Sequence, residues 1–149
     1  MNYYYDSPAG RLYVDINADG AVTGLKNSGE GSEKLPPGDA RQWLDCYFSG
    51  KNPGKTAVLC DGDERNRRVW ELISEIPYGE TSTYGCLAEK YLLRWGERLS
   101  PRTVGMICGK NPVWLMVPCH RVIMADGSLG GYAGGPEMKR TLLRIEVSA

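Results

Sequence analysis

Histidine is the scarcest of the chemically useful side chains: His120 is the only one in 149 residues. A metal site built on several imidazoles is therefore excluded. None of the five cysteines (Cys46, Cys60, Cys86, Cys108, Cys119) belongs to a CxxC pair, and a disulfide framework would leave one over. Free thiols in a reducing cytoplasm are the expectation. No run approaches eighteen uninterrupted apolar residues, so no membrane span is expected, and residues 1–6 lack the basic start of a secretory leader. Net charge is absent as well, with 18 basic against 18 acidic side chains. That balance conceals an asymmetry. Residues 1–64 carry 6 Lys/Arg against 10 Asp/Glu, a balance of −4, and residues 65–149 carry 12 against 8, a balance of +4. The second half could meet a polyanion, although two ordinary solvated surfaces would give the same counts. At 42% hydrophobic and 24% charged, the composition is that of one globular domain with a real core, or of two small lobes.

Periodicity divides the chain. Residues 3–27 read as antiparallel strands, with turns at Ser7-Pro8-Ala9-Gly10 and Asn17-Ala18-Asp19-Gly20 and an alternating run at Leu12, Val14 and Ile16. Residues 28–38 are a Gly/Ser/Pro loop. A short helix over 38–49 puts Trp43, Leu44, Tyr47 and Phe48 on one face and ends at Gly50. Residues 50–63 read as a linker, so the expected units are an α/β lobe with its linker at 1–63 and a mostly helical domain at 64–149. In the second unit Val69, Leu72, Ile73 and Ile76 mark a helix stopped by Pro77. Another begins at the Thr81-Ser82-Thr83 cluster and uses Tyr84, Leu87, Ala88 and Tyr91. A third begins with Ser100 as cap and Pro101 in its first turn. The last two suggest a helix-turn-helix with a long connection at 92–99.

The third helix carries Val104, Ile107 and Cys108 on one side and Arg102, Gly105 and Gly109 on the other. Each glycine costs about 1 kcal/mol relative to Ala in a helix. Close approach of a bulky ligand and tight helix packing explain that equally well. The C-terminal helix starts at Pro136, with Met138, Thr141, Leu142 and Ile145 on its stripe. Glu146 comes next on that stripe, so it points inward unless the helix end frays. An inward carboxylate needs a partner, and His120 is available. His120 follows Cys119, whose thiolate would be the nucleophile and whose pKa a neighbouring imidazole would lower. A Glu-His-Cys order then lets the acid orient the imidazole and the imidazole take the thiol proton.

The string Pro118-Cys119-His120-Arg121-Val122, after Asn111-Pro112 and before Gly130-Gly131-Tyr132-Ala133-Gly134-Gly135, resembles the O6-alkylguanine-DNA alkyltransferases. Arg68-Val69-Trp70, Ile76-Pro77-Tyr78-Gly79, Thr83-Tyr84 and Arg102-Thr103-Val104-Gly105 match in the same order, strongly over residues 65–147. The resemblance implies a small antiparallel sheet with a helix, followed by the helical DNA-binding domain. It implies transfer of an alkyl group, chiefly methyl, from O6-alkylguanine in double-stranded DNA to Cys119, once per molecule, without cofactor or metal. Glu146 and His120 become members of a Glu-His-water-Cys relay, Asn111 the hinge of the active-site turn, and Tyr84 the hydroxyl that assists the departing base. Arg102 becomes the finger that replaces the flipped nucleotide, with Thr103, Gly105 and Gly109 beside it on a helix in the minor groove. Backbone around Cys119, Val122 and Ala133, together with Tyr132, would hold the base. Arg121 is open between a phosphate contact and a structural ion pair.

The chain departs from the family pattern in three places: the 92–99 connection is long, Ala133 replaces a hydroxyl residue that some relatives have, and Trp114 stands where relatives often carry a small residue or Pro, so it is expected to narrow the alkyl pocket. Two other functions compete, a lesion-binding module without chemistry and a Cys-His thiol hydrolase or redox enzyme. The first would lack the acceptor that Cys119 supplies. The second would leave the helix pair unexplained and has no resolving cysteine. A cytoplasmic monomer is the expected state.

Overall fold

The structure is a computed structural model that describes residues 1–29 and 34–147. Part of the loop expected at 28–38 lies outside these. Three antiparallel strands come first, β1 (Asn2–Ser7), β2 (Gly10–Ile16) and β3 (Val22–Lys26), in spatial order β1-β2-β3. The alternation seen in the sequence sets which face is buried: Leu12, Val14 and Ile16 point into the core. Helix α1 (Gly38–Phe48) lies against this unit and buries Ala40, Trp43, Leu44 and Tyr47. The Trp43 indole donates to the Gly54 carbonyl at 3.0 Å, which ties the following linker down.

The helical half is assembled by caps, two of which, Thr83 and Ser100, the sequence suggests and one of which, Asp63, emerges only in the structure. Asp63 caps α2 (Glu64–Ser74) by accepting from the Asn66 N–H, Thr83 caps α3 (Tyr84–Trp95), and Ser100 caps α4 (Pro101–Cys108). Val69, Trp70, Leu72 and Ile73 of α2 pack against Leu87, Ala88 and Tyr91 of α3 and Val104 and Ile107 of α4. Each large apolar side chain contributes about 1.5–3 kcal/mol by leaving water. The Trp70 indole, buried with them, donates to the Ile107 carbonyl at 3.1 Å.

The connection between α3 and α4 corrects the sequence reading. Residues 92–95 are the last turn of α3, held by Trp95 packing on Tyr91 at 4.9 Å between ring centroids. Gly96 then ends the helix with φ of 73°, a left-handed conformation that glycine adopts without steric cost. The true connection is therefore only 96–100, short enough for a compact helix pair. Two further strands, β4 (Ser82–Thr83) and β5 (Val122–Ile123), pair in parallel and were not expected, since two residues show no periodicity.

Helix α5 (Pro136–Val147) also differs in detail. Its buried side is Met138, Lys139, Leu142 and Glu146, whereas Thr141 and Ile145 are only half-buried. The stripe is rotated toward the two charged residues because both find partners beneath the helix. The N-terminal sheet reaches this region directly. The Leu25 N–H donates to the Pro112 carbonyl and the Trp114 N–H to the Leu25 carbonyl, both at 2.9 Å, so β3 grips the chain just before the Cys-His pair.

Candidate active site

The residues from Asn111 to Cys119 form a tightly folded turn. Asn111, only 2% exposed, spans it: its Oδ1 accepts from the Val113 N–H at 2.9 Å, and its Nδ2 donates to the Val117 carbonyl at 2.8 Å. Two three-residue turns lie inside that clamp. The Met116 N–H bonds the Trp114 carbonyl at 2.8 Å around Leu115, which has φ of 69°. The Cys119 N–H bonds the Val117 carbonyl at 2.8 Å around Pro118. A leucine at positive φ costs about 1–3 kcal/mol and persists only where its surroundings over-determine it. Burial of the Leu115 side chain and the Asn111 clamp supply that constraint. The turn delivers Cys119 to the start of a single 3-10 turn, Cys119–Arg121. Asn111 Nδ2 also donates to Cys119 Sγ at 3.3 Å.

Glu146 is the electrostatic centre. Its side chain is buried, and each carboxylate oxygen accepts two bonds. Oε2 accepts from His120 Nε2 at 2.5 Å and from the Tyr47 hydroxyl at 2.7 Å. Oε1 accepts from Arg121 Nε at 2.7 Å and from the Gly79 N–H at 3.0 Å. Burial alone would raise the Glu146 pKa, but the bonds from His120, Arg121 and Gly79 outweigh it and bring it down to about 2. Burial lowers the His120 pKa, more than Glu146 raises it, so the imidazole is neutral at pH 7. Its Nδ1 is buried and bonded to no protein group. With Nε2–H committed to Glu146, Nδ1 is the nitrogen able to take a proton.

The resting thiol differs from the expectation. Burial, reinforced by the neighbouring Cys108 thiol, pushes Cys119 well above the ordinary cysteine value, and the Asn111 donor offsets only part of this. The imidazole next in sequence does not lower the pKa, because it is itself neutral and bound to Glu146. Cys119 is therefore a thiol in the free protein, and its proton must leave as part of the reaction.

Stability should accordingly fall on acidification. Glu146 has a lowered folded pKa, so its contribution is complete above its ordinary 4.5 and is lost as pH falls toward about 2. His120 is also lowered in the fold, so its contribution is complete above its ordinary 6.5 and is lost below it. Urea unfolding between about pH 7.5 and 4 should show the midpoint declining from roughly pH 6.5 downward. A midpoint constant across that range would contradict the buried neutral imidazole.

A cavity of about 740 Å³ opens beside Cys119. Cys119, Tyr84, Arg102, Gly105, Gly109, Tyr132 and Ala133 all line it, so seven of the residues expected at the site converge there. Burial pushes the Tyr84 pKa up to about 12, so its hydroxyl stays protonated. A Cβ added at Gly105 would meet only the Tyr84 ring, at 3.6 Å, so packing within the protein does not demand glycine there. Of the two explanations for this glycine, close approach from outside is favoured. Met106, Cys108, Met124 and Ala125 also line the cavity and were not foreseen.

Three expected contacts change, and the choice left open for Arg121 closes on the ion pair. Arg121 is not available to phosphate: its side chain is buried, paired with Glu146, and its Nη1 donates to the Ile76 carbonyl at 2.9 Å. Trp114 does not line the cavity. It lies behind Tyr132, ring centroids 5.6 Å apart, and so supports the pocket wall without narrowing the pocket itself. Gly134 lets this cluster close, since a Cβ there would stand 3.0 Å from both rings. Val122 is buried away from the cavity; its N–H bonds the Cys119 carbonyl and its own carbonyl accepts from Lys139 Nζ at 2.6 Å. Thr103 also lies off the cavity, its hydroxyl paired with that of Ser100 at 2.9 Å. Asn111 is where expected, acting on the turn and on the sulfur.

Away from the cavity wall, two buried polar side chains around the site were also missed. Tyr47 was taken as one member of an apolar helix face, and nothing in its local pattern signals a polar role. Lys139 is fully buried and bonds the carbonyls of Val122 and Gly131, which joins the two segments on either side of Cys119 and Tyr132. A lysine within an apolar stripe was the available signal. Among the described residues, no group of three or more His, Cys, Asp or Glu side chains is placed to hold a metal ion.

A buried Cys beside a Glu-His pair, with a helix-turn-helix at the cavity rim, defines a class of DNA-directed thiol chemistry. Residues 64–148 match the family model for the DNA-binding domain of 6-O-methylguanine DNA methyltransferase. The methylated-DNA–protein-cysteine methyltransferase of Methanosarcina acetivorans is 36% identical over 162 residues, covering 98% of this chain and 99% of that protein. The enzyme of the same description from Mycolicibacterium paratuberculosis is 38% identical, covering 95% of this chain and 88% of that one. Mycobacterium tuberculosis OGT, solved in complex with DNA, superposes with a TM-score of 0.84 at 35% identity, covering 99% of this chain and 92% of that chain. The chain belongs to the methylated-DNA–protein-cysteine methyltransferase family.

Proposed function

We infer that the protein repairs DNA by taking O6-alkylguanine, chiefly O6-methylguanine, out of the duplex and moving the alkyl group irreversibly to its own Cys119. The observation that carries this reading is the cavity itself: the buried thiol forms part of its wall, and the exposed side of α4 forms its rim. The O6 atom lies on the pairing edge of guanine, so a thiol can reach the alkyl carbon only after the base leaves the stack. Arg102 at the rim fills the vacated space, and Gly105 and Gly109 let α4 approach the groove.

The reaction is a displacement at carbon. The sulfur–carbon bond forms as the carbon–O6 bond breaks, and the thiol proton passes to Nδ1 of His120. Glu146 supports the imidazolium that results. The departing guanine takes a proton from the Tyr84 hydroxyl at the cavity wall, and the proton held on His120 returns to that tyrosine through solvent, so thiol and alkylguanine become thioether and guanine with both residues restored. No group in the site opens the thioether, which makes the transfer a single event per molecule. A raised thiol pKa suits this use, since the nucleophile is held in its unreactive form until a base fills the cavity. The residues that carry this chemistry fall within 64–149, with 1–63 as a separate lobe, and the reading places a cofactor-free monomer in the cytoplasm, where its five cysteines stay reduced.

Incubation with duplex DNA containing O6-methylguanine, followed by peptide mapping, tests the reading. One methyl group on Cys119, no second turnover, and loss of transfer but not of DNA binding in Cys119→Ser are expected. Methyl on another residue, or repeated turnover, would sink it. DNA binding without any transfer would favour the lesion-binding alternative.

A further inference from the structure

The four bonds to Glu146 include one that crosses from the other half of the chain. Tyr47 lies on α1, 99 residues before Glu146, and is fully buried, with its ring stacked on Trp43 at 5.3 Å and edge-on to His120 at 6.3 Å. Its hydroxyl is 2.7 Å from Glu146 Oε2 and 3.3 Å from His120 Nε2. We propose that Tyr47 is a positioning residue for alkyl transfer, whose hydroxyl holds Glu146 and so selects the imidazole tautomer that can accept the thiol proton. The proposal rests on the alkyl-transfer reading of the site.

The two distances decide between two proton arrangements. If the Tyr47 hydroxyl donated to Nε2, that nitrogen would carry no hydrogen and Nδ1 would be protonated, unable to act as a base. Donation to Oε2 is the shorter contact. It places two donors, Tyr47 O–H and His120 Nε2–H, on one carboxylate oxygen and leaves Nδ1 bare. Burial and the adjacent carboxylate raise the Tyr47 pKa, so the hydroxyl keeps its proton and remains a donor. The carboxylate in turn is kept ionised by a donor that contributes no charge of its own. The N-terminal lobe thus supplies a working part of the proton relay in addition to the β3 contact that grips the active-site turn.

Tyr47→Phe keeps the ring and removes the hydroxyl. A buried carboxylate that loses a donor becomes more basic, and its pull on the Nε2 proton strengthens, which raises the imidazole pKa. Two measurements on the full chain test this. Single-turnover transfer from O6-methylguanine duplex should fall about tenfold at neutral pH, and the acid limb of its pH profile should move up by about one pH unit. Because His120 is the sole histidine, nitrogen-15 spectra of labelled protein report one imidazole. Wild type should show a protonated Nε2 and a bare Nδ1, and Tyr47→Phe should shift both signals toward imidazolium at a pH where wild type is still neutral. A purely structural tyrosine would change unfolding while leaving the pH limb and the imidazole signals unmoved, and that result overturns the proposal. A wild type that transfers nothing to Cys119 would instead overturn the alkyl-transfer reading on which it rests.

Discussion

Replacing Glu146 by Gln is expected to abolish useful transfer and to lower the melting temperature by about 10 °C. The carboxylate accepts from four donors, two on each oxygen. A glutamine amide offers one oxygen with two lone pairs, and its NH2 can only donate. Whichever way it turns, the NH2 faces two donors, either Tyr47 and His120 or Arg121 and Gly79. The Arg121 guanidinium also loses its charge partner in a site where its side chain is buried. Breaking one member of a buried ion pair costs about 3–5 kcal/mol, and a chain of this length loses about 2–4 °C for each of those. Transfer suffers separately, because an imidazolium formed at His120 would have no counter-charge; the rate should fall by roughly 10²–10⁴. Thermal melting and single-turnover transfer read the two effects independently. A variant that melts with wild type and transfers within a factor of two would show that the Glu146–His120 contact plays no part in the chemistry.

The second large effect concerns Arg102 and separates extrusion from chemistry. Its side chain is exposed at the cavity rim in the first turn of α4, and no ion pair involving it occurs among the described residues. A cation without an ion pair beside Gly105 and Gly109 is free, on the proposed reading, to enter the space that an extruded nucleotide leaves. Opening one base step costs a few kcal/mol, which the inserted side chain offsets. Arg102→Ala should therefore reduce repair of duplex DNA by about two orders of magnitude. Reaction with free O6-methylguanine base needs no extrusion and should be unchanged. Equal loss on both substrates would mean that Arg102 acts on the cavity and not on the DNA. Unchanged duplex repair would place the finger elsewhere on α4.

These expectations draw unequally on sequence and structure. The caps at Thr83 and Ser100 and the alternation at Leu12, Val14 and Ile16 are local signals, and the elements they announce form where they announce them. Glu146 was legible as an inward acid because helical periodicity extends to any residue on the stripe. The 92–99 segment was misread because its end depends on a ring contact between Tyr91 and Trp95 and on the left-handed conformation of Gly96, not on hydrophobic spacing. Arg121 was left open between phosphate and an ion pair, and Trp114 was placed at the alkyl pocket from the family pattern. Neighbours in a sharply turned segment point in different directions, and these two point into the protein.

By itself the sequence determined the fold class, most of the helices and the three N-terminal strands, and the family, because short-range patterning and an ordered set of motifs carry that information without reference to distant residues. Only the tertiary structure decided the protonation of the site and which side chains bond Glu146. The thiol is neutral because the fold buries it beside Cys108, and Tyr47 reaches Glu146 because β3 and α1 bring the first lobe against the turn that presents Cys119. Desolvation and contacts between residues 99 apart are properties of the packed chain, and no window of sequence contains them.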